Sequence, residues 1–433
     1  MSSLADRLRD VIRPSAPSAP VHTLGANDSD VAEMLGGEWH ESQGQRYLVI
    51  ERKYSPGYRH GRVAVADHLP PSDGIWPRVS LLLTEPYGVC LDRSRSLLFL
   101  DLETTGLAGG AGSYAFLIGC AWFDGAVLRV RQFFLSSFAA ERALLAALTD
   151  LAAASGAIVT YNGKTFDLPL IETRLTLHRM KTPFADLQHI DMLHPARRMW
   201  RQDDEDGAGG MSSSCRLSTL EQAVCGHVRD GDVPGFEIPS RYFHYVRSGD
   251  VRPLGAVLEH NRLDLVSLAL VTGYAAQLLD EGAAGTRTAR EALGLGKLYE
   301  RGGLQRDAKE CFARAAGLGS QVQAGFADAD VDVRAEALRS YAVLCRRERS
   351  YAEAAIAWQR ILELKGCPPA ISRDATDALA VHNEHRVRDL LSAKTFALRS
   401  LELPNSAART QAVHHRLARL NRKLAAPQVA ALF

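Results

Sequence analysis

Residues 96–106 read SLLFLDLETTG. An apolar run, Leu97–Leu100, leads into Asp101, Leu102 and Glu103 and stops at a Gly turn. A run that is apolar on both faces predicts a buried strand. Asp101 and Glu103 lie two apart, so period two places both carboxylates on one face of that strand. Two like charges side by side are costly to bury unless a cation offsets them, which points to metal. Gly106, Gly109, Gly110 and Gly112 follow, leaving room for close approach by another backbone or a ligand. Taken alone, an Asp-x-Glu pair is more often an ordinary strand end with solvated acids.

The surroundings continue a mixed α/β pattern. Residues 113–135, SYAFLIGCAWFDGAVLRVRQFFL, are two β-type runs joined at Asp124-Gly125, a hairpin signal. Glu141–Ala154 has helical periodicity, Ala157–Tyr161 is a short apolar strand, and Asp167–Met180 reads as helix. The sum is a mixed sheet covered by helices. Residues 202–214, QDDEDGAGGMSSS, predict a mobile loop inside this domain. Order resumes at Leu217, and a helix from Val257 to Leu279 closes the region.

Two further acidic elements lie in the same stretch. In YNGKTFDLPLIETR, residues 161–174, a strand stops at Asn162 and Asp167 opens a helix. Asp167 fits a helix N-cap, and Pro169 just inside the helix supports that reading. In EHNRLDLVSLAL, residues 259–270, His260 and Asp264 are four apart and share a helix face, with Asn261 beside them. The bland reading is an exposed charged turn ahead of an apolar run.

The bulk numbers narrow the field. The chain has 433 residues, 46% of them apolar and 23% charged, which is the balance of a globular protein of two or three domains. A net charge of +1 excludes a strongly basic nucleic-acid binder, so any such contact needs a local patch or metal ions. Seven scattered cysteines form no C-x-x-C pair and predict reduced thiols in a cytoplasmic protein. The spacing of Cys215, Cys225 and His227 fits no usual zinc pattern. No signal peptide and no membrane span are expected.

The expected divisions are a flexible segment over 1–35, a small mostly β lead-in over 36–94, an α/β domain over 95–280 and helical repeats over 286–424. Residues 3–13 suit a short helix, and the Pro/Ser/Ala run Pro14–Pro20 suits a linker. In ALGLGKLYERGGLQRDAKECFARAAGLG, residues 292–319, small Gly296 and Ala308 alternate with large Tyr299 and Phe312 as in tetratricopeptide repeats. A second copy runs through Leu338, Tyr341, Ala342, Ala354 and Trp358, and a third, fainter one through Ala393 and Ala397. Stacked repeats of this kind form a concave surface for a protein partner.

In order, D-L-E-T-T-G, N-x-x-x-F-D and H-N-x-x-D resemble the motifs of DnaQ-like DEDD exonucleases on a ribonuclease H-like fold. More closely, the chain resembles YprB-type ribonuclease H-like proteins with C-terminal tetratricopeptide repeats. TGLAGGAGSYAFLIG (105–119), CRLSTLE (215–221) and DVPGFEIPSRYFHYVRSGD (232–250) carry that closer likeness. The resemblance implies an α/β ribonuclease H-like mixed sheet flanked by helices, then an all-α repeat domain. It implies a metal-dependent 3′→5′ exonuclease acting on single-stranded DNA or RNA. Asp101, Glu103, Asp167 and Asp264 are then the ligands of two Mg²⁺ or Mn²⁺ ions. Thr104, Thr105, Gly106, Asn162 and Asn261 are the expected substrate contacts. Arg197, Arg198 and Arg201 suit a guide for the strand, with Trp200 for base stacking.

His260 is the expected general base, since a pKa of about 6.5 suits proton removal at neutral pH. It departs from the better-known subfamilies. One has Tyr four residues before the last Asp and the other has His five before. This chain has His at four and Glu259 at five, and one residue is a rotation of about 100° on a helix. Two other readings stand beside the exonuclease: a protein-binding scaffold with a silent nuclease fold, and an endonuclease on the same fold.

Overall fold

The structure, a computed structural model, describes residues 28–42, 44–71, 76–83, 91–92, 94–106, 112–201, 215–318, 326, 330–402 and 406–425. The helix expected at 3–13, the linker Pro14–Pro20, Gly109, Gly110 and the loop 202–214 lie outside these residues.

Among the described residues the chain opens with α1 (Asp28–Leu35), β1 (Glu38–Ser42), β2 (Gln45–Tyr54), and the short pair β3 (Arg59–His60) and β4 (Val63–Ala64). The predicted central strand is β5 (Leu97–Thr104). The hairpin follows as β6 (Ala115–Asp124) and β7 (Val127–Phe134), with Gly125 at φ 58° in its turn. That left-handed conformation is one glycine adopts without strain. Then come α2 (Glu141–Ala153), β8 (Ala157–Thr160), α3 (Asp167–Leu177), β9 (Gln188–Asp191), α4 (Leu193–Met199), α5 (Leu217–Leu220), α6 (Ile238–Ser248) and α7 (Leu254–Glu281).

One seven-stranded sheet has the order β1-β2-β7-β6-β5-β8-β9. β8 and β9 run parallel to β5, and the remaining neighbours are antiparallel. Residues 36–94 are therefore not a separate lead-in. β2 pairs with β7 and β1 pairs with β2 to form the sheet edge, while Val79–Leu82 is a 3₁₀ turn. Apolar runs identify strands, but their distant partners are not encoded locally.

Alternation along β5 fixes the two faces. Leu98, Leu100 and Leu102 pack with α2, α3 and α6. Leu97 and Phe99 face the other way, toward α7. Asp101 and Glu103 continue that second row. α7 crosses the sheet and its apolar face runs on into the helical part, so one core joins the two. By length and composition α7 is apolar enough to cross a membrane, which corrects the expectation that no stretch is. Its apolar window is 83% buried inside the protein, as in a core helix.

The rest is helical: α8 (Ala289–Arg301), α9 (Gln305–Ala315), α10 (Val331–Arg347), α11 (Tyr351–Glu363), α12 (Pro369–His382), α13 (Leu390–Leu401) and α14 (Ala407–Ala425). Gly296 of α8 sits against the Phe312 ring of α9. Gly294, on α8, sits against α4 of the sheet domain. A Cβ at Gly294 would lie 2.4 Å from the Arg198 carbonyl oxygen, where backbone must move. Gly294→Ala is expected to cost about 1–3 kcal/mol through this clash. Thermal unfolding checks it, and an unchanged melting temperature would contradict such tight packing.

Candidate active site

Asp101 and Glu103 leave β5 where its ladder with β6 slips by one residue, between Glu103 and Thr104. The bulge ends regular pairing beside the acids. Thr104 Oγ1 donates to the Gly106 carbonyl at 2.8 Å. Thr105 accepts from the Tyr114 N–H at 2.9 Å through Oγ1 and donates its own N–H to the Tyr114 carbonyl at 2.9 Å. These bonds close the base of the loop after the strand.

Asp167 follows β8 through a turn held by a residue the sequence reading missed. Asp191, buried at the end of β9, accepts from the Asn162 and Leu193 N–H groups through Oδ1 at 2.7 and 3.1 Å. Its Oδ2 accepts from the Lys164 N–H at 3.1 Å. This holds Asn162 at φ 66°, an uncommon conformation for a side chain other than glycine. The motif QHID, a short strand with a single apolar residue, gives no periodic signal that marks Asp191. Phe166 is the helix cap, with no side-chain bond, so Asp167 is not the N-cap its position suggested. Its carboxylate instead accepts from its own N–H and from that of Leu102. Those bonds aim it at β5.

α7 brings His260 and Asp264 to the same place. His260 Nε2 lies 3.6 Å from Asp264 Oδ2 and 4.0 Å from Glu103 Oε1. Glu259 turns away and pairs with Arg262 and with Arg52. Asn261 is fully buried, so it is not the substrate contact expected of it. Its Nδ2 donates to Asp101 Oδ2 at 2.7 Å and to the Asp101 carbonyl at 3.2 Å, and its Oδ1 accepts from Gln132 Nε2 at 2.8 Å. Facing the sheet, a helix residue next to His260 becomes a strut for Asp101.

Only glycine fits opposite that strut. A Cβ at Gly119 of β6 would lie 2.2 Å from Asn261 Oδ1 and 2.7 Å from Leu265 Cδ1. Gly119→Ala should therefore displace Asn261 and lower stability by about 1–3 kcal/mol. Denaturant unfolding checks this, and a variant as stable as wild type would contradict it.

The acids repel one another. Burial, then the charges of Asp264, Glu103 and Asp167, push Asp101 well above the usual carboxylate range. Burial, then Asp264 and Asp167, do the same to Glu103. Burial, with Asp191 adding to it, pushes Asp167 up to about 7. One guanidinium enters the cluster. Arg229 Nη2 donates to Asp264, its Nη1 to Asp232 Oδ2 at 3.1 Å, and its Nε to Glu221 Oε2 at 2.6 Å. Neither Arg229 nor Asp232 was singled out from the sequence. Four carboxylates against one cation leave negative charge uncompensated. The hard oxygen donor set suits divalent ions of the Mg²⁺ or Mn²⁺ kind.

A groove of about 760 Å³ opens beside the acids. Tyr161, Asn162, Arg197, Arg201, Arg216 and Ser218 line it, and His260 and Asp264 reach its floor. Trp200 does not face it. Its Nε1 donates to Glu291 at 2.9 Å and its ring stacks on Tyr274, so it fastens α4 to the helical part and does not present a surface for bases.

Among the described residues, His60, Glu221 and His227 place ligand-type atoms within 4.8 Å of one another. The two rings stack at 4.1 Å and 25°. Glu221 is already bonded to His60, Ser267 and Arg229. This set reads as a structural anchor.

The family model described as "RNase_H superfamily" matches residues 98–276. A curated relative, "Uncharacterized protein YprB" of Bacillus subtilis (strain 168), is 30% identical over 386 residues, covering 87% of this chain and 86% of the relative. A solved structure, the family B DNA polymerase of the hyperthermophilic archaeon Pyrobaculum calidifontis, aligns at TM-score 0.35 and 13% identity. It covers 61% of this chain and 30% of the polymerase. The domain match, with the near full-length relative, shows that the chain belongs to the ribonuclease H superfamily, in the family of YprB.

Proposed function

We propose that the protein is a metal-dependent nuclease, acting as a 3′→5′ exonuclease on single-stranded DNA or RNA. Membership of the ribonuclease H superfamily supports the nuclease class. The observation that carries the finer reading is the mutual repulsion of Asp101, Glu103 and Asp167 with Asp264, which itself lines an arginine-lined groove. Asp101, Glu103, Asp167 and Asp264 would hold two Mg²⁺ or Mn²⁺ ions. Bound there, such ions supply charge neutralisation for the phosphoryl oxygens and acidify the attacking water.

The chain's own residues do the rest. Asn261 keeps Asp101 in place, and the Asp191-tied turn keeps Asp167 in place. Arg197, Arg201 and Arg216 offer positive charge to the phosphates of an incoming strand. Thr104–Gly106 and Asn162 are the contacts we assign to the terminal nucleotide. His260 Nε2 takes the proton of the attacking water. As the water oxygen bonds to phosphorus, the bond from phosphorus to the 3′ oxygen of the shortened strand breaks, and that oxygen takes a proton from solvent to leave as a 3′ hydroxyl. The location we assign is the cytoplasm, supported by the free thiols of Cys120, Cys215, Cys225, Cys311, Cys345 and Cys367.

A protein-binding role for the helical part is supported by a cavity of about 540 Å³ floored by Val343, Tyr351 and Trp358. It complements the nuclease reading and does not replace it. The test is a panel of single- and double-stranded DNA and RNA, labelled at either end, with and without Mn²⁺. Stepwise shortening of 5′-labelled single strands is the expected result. Cutting of a circular strand would point to an endonuclease, and no cleavage of any substrate would remove the enzyme reading.

A further inference from the structure

Glu221 is enclosed completely at the start of a π turn, Glu221–Cys225, in the 215–221 stretch that carried part of the resemblance. Its Oε1 accepts from His60 Nε2 and from Ser267 Oγ, both at 2.6 Å. Its Oε2 holds Arg229 by Nε at 2.6 Å. So seated, Arg229 has a fixed fork: one end reaches Asp232 and the other Asp264. Asp232 Oδ1 then meets His260 Nδ1 at 2.6 Å. The opposite ring nitrogen, Nε2, faces Asp264 and Glu103.

This arrangement decides which nitrogen carries the proton. An ionised carboxylate only accepts hydrogen bonds. The Arg229 guanidinium, donating to Asp232 Oδ2 at 3.1 Å, favours the ionised form of Asp232. Nδ1 is therefore the donor, and Nε2 presents its lone pair to the carboxylate cluster.

We infer that Asp232 is the positioning residue of His260, and that Arg229, anchored by Glu221, is the clamp that fixes Asp232 and Asp264 relative to each other. The inference rests on His260 being the base in the proposed reaction. It also accounts for the unusual histidine spacing. Four residues before Asp264, the ring lies against that carboxylate on the same helix. Asp232, from outside the helix, turns it so that Nε2 and not Nδ1 faces the site. The stretches 215–221 and 232–250 thereby gain a role: they deliver Glu221 and Asp232.

The tautomer can be read without turnover. Protein labelled with ¹⁵N at its 14 histidines gives the ring-nitrogen signals, with His260 assigned by their loss in His260→Gln. In the metal-free wild type above neutral pH, His260 should show a protonated Nδ1 and an unprotonated Nε2. Asp232→Ala should move the proton toward Nε2 and lower kcat on the order of 10²-fold, with KM little changed. Asp232→Asn keeps a single accepting oxygen, which the Arg229 guanidinium claims, so its NH2 group meets Nδ1 and both changes should persist as in Asp232→Ala. Arg229→Met should give the same direction of change with a folded protein. A His260 tautomer unaltered in Asp232→Ala overturns the inference, whatever the activity. An inactive wild type whose tautomer still depends on Asp232 would instead sink the nuclease reading and leave the clamp standing.

Discussion

Asp101→Asn is expected to abolish metal-dependent hydrolysis while making the metal-free protein more stable. The two effects have one cause. The ionised form of Asp101 is disfavoured by burial and by the charges of Asp264, Glu103 and Asp167. An amide of the same shape removes a repelling charge, so the melting temperature without metal should rise. The same change deletes a hard oxygen ligand. Charge stabilisation by bound ions contributes several kcal/mol to such reactions, so the rate should fall on the order of 10³-fold. Stability gained by adding Mn²⁺ to the wild type, about 2.7 kcal/mol at a hundred times Kd, should be largely absent from the variant. Thermal unfolding with and without Mn²⁺ reads both changes. A variant that is less stable without metal and equally stabilised by Mn²⁺ would contradict the account.

The second large effect is in pH. Asp167 rises from 3.8 to about 7, chiefly through burial. At roughly 1.4 kcal/mol per pH unit, that disfavours the ionised folded form by on the order of 4 kcal/mol. Its folded pKa lies above the unfolded one, so the folded state binds more protons between the two. The contribution is fully present below about pH 4 and is lost as pH rises through about 7. Asp101 and Glu103 shift in the same direction and add to it. In EDTA the melting temperature should therefore fall from pH 5.5 to pH 8.5. Mn²⁺ competes with those protons, so its stabilising effect should be greater at pH 8.5 than at pH 5.5. A pH-independent metal effect would mean the ions bind elsewhere.

Local order carried much of this into the sequence. The β5 run, the hairpin at Asp124-Gly125 and the helix holding Asp264 each follow from a period or a turn residue. The acids are legible because each ends or begins such an element. What was hidden depends on partners far away in the chain. β2 finds β7 more than seventy residues on. Asn261 looks like a polar neighbour of His260, and only the crossing of α7 over Gly119 buries it against Asp101. Trp200 looks available for bases, and only docking of α8 on α4 encloses it. Arg229 and Asp232 sit in a polar stretch without periodicity, where nothing local marks a buried guanidinium.

The central claim is that these four carboxylates hydrolyse phosphodiesters with divalent ions. A 5′-labelled single-stranded oligonucleotide, incubated with Mn²⁺ and either wild type or the Asp101→Asn, Glu103→Gln double variant, tests it most directly. Wild type should yield a ladder shortening from the 3′ end that EDTA stops, and the double variant should leave the strand intact. Equal degradation by both proteins would contradict the assignment of the site.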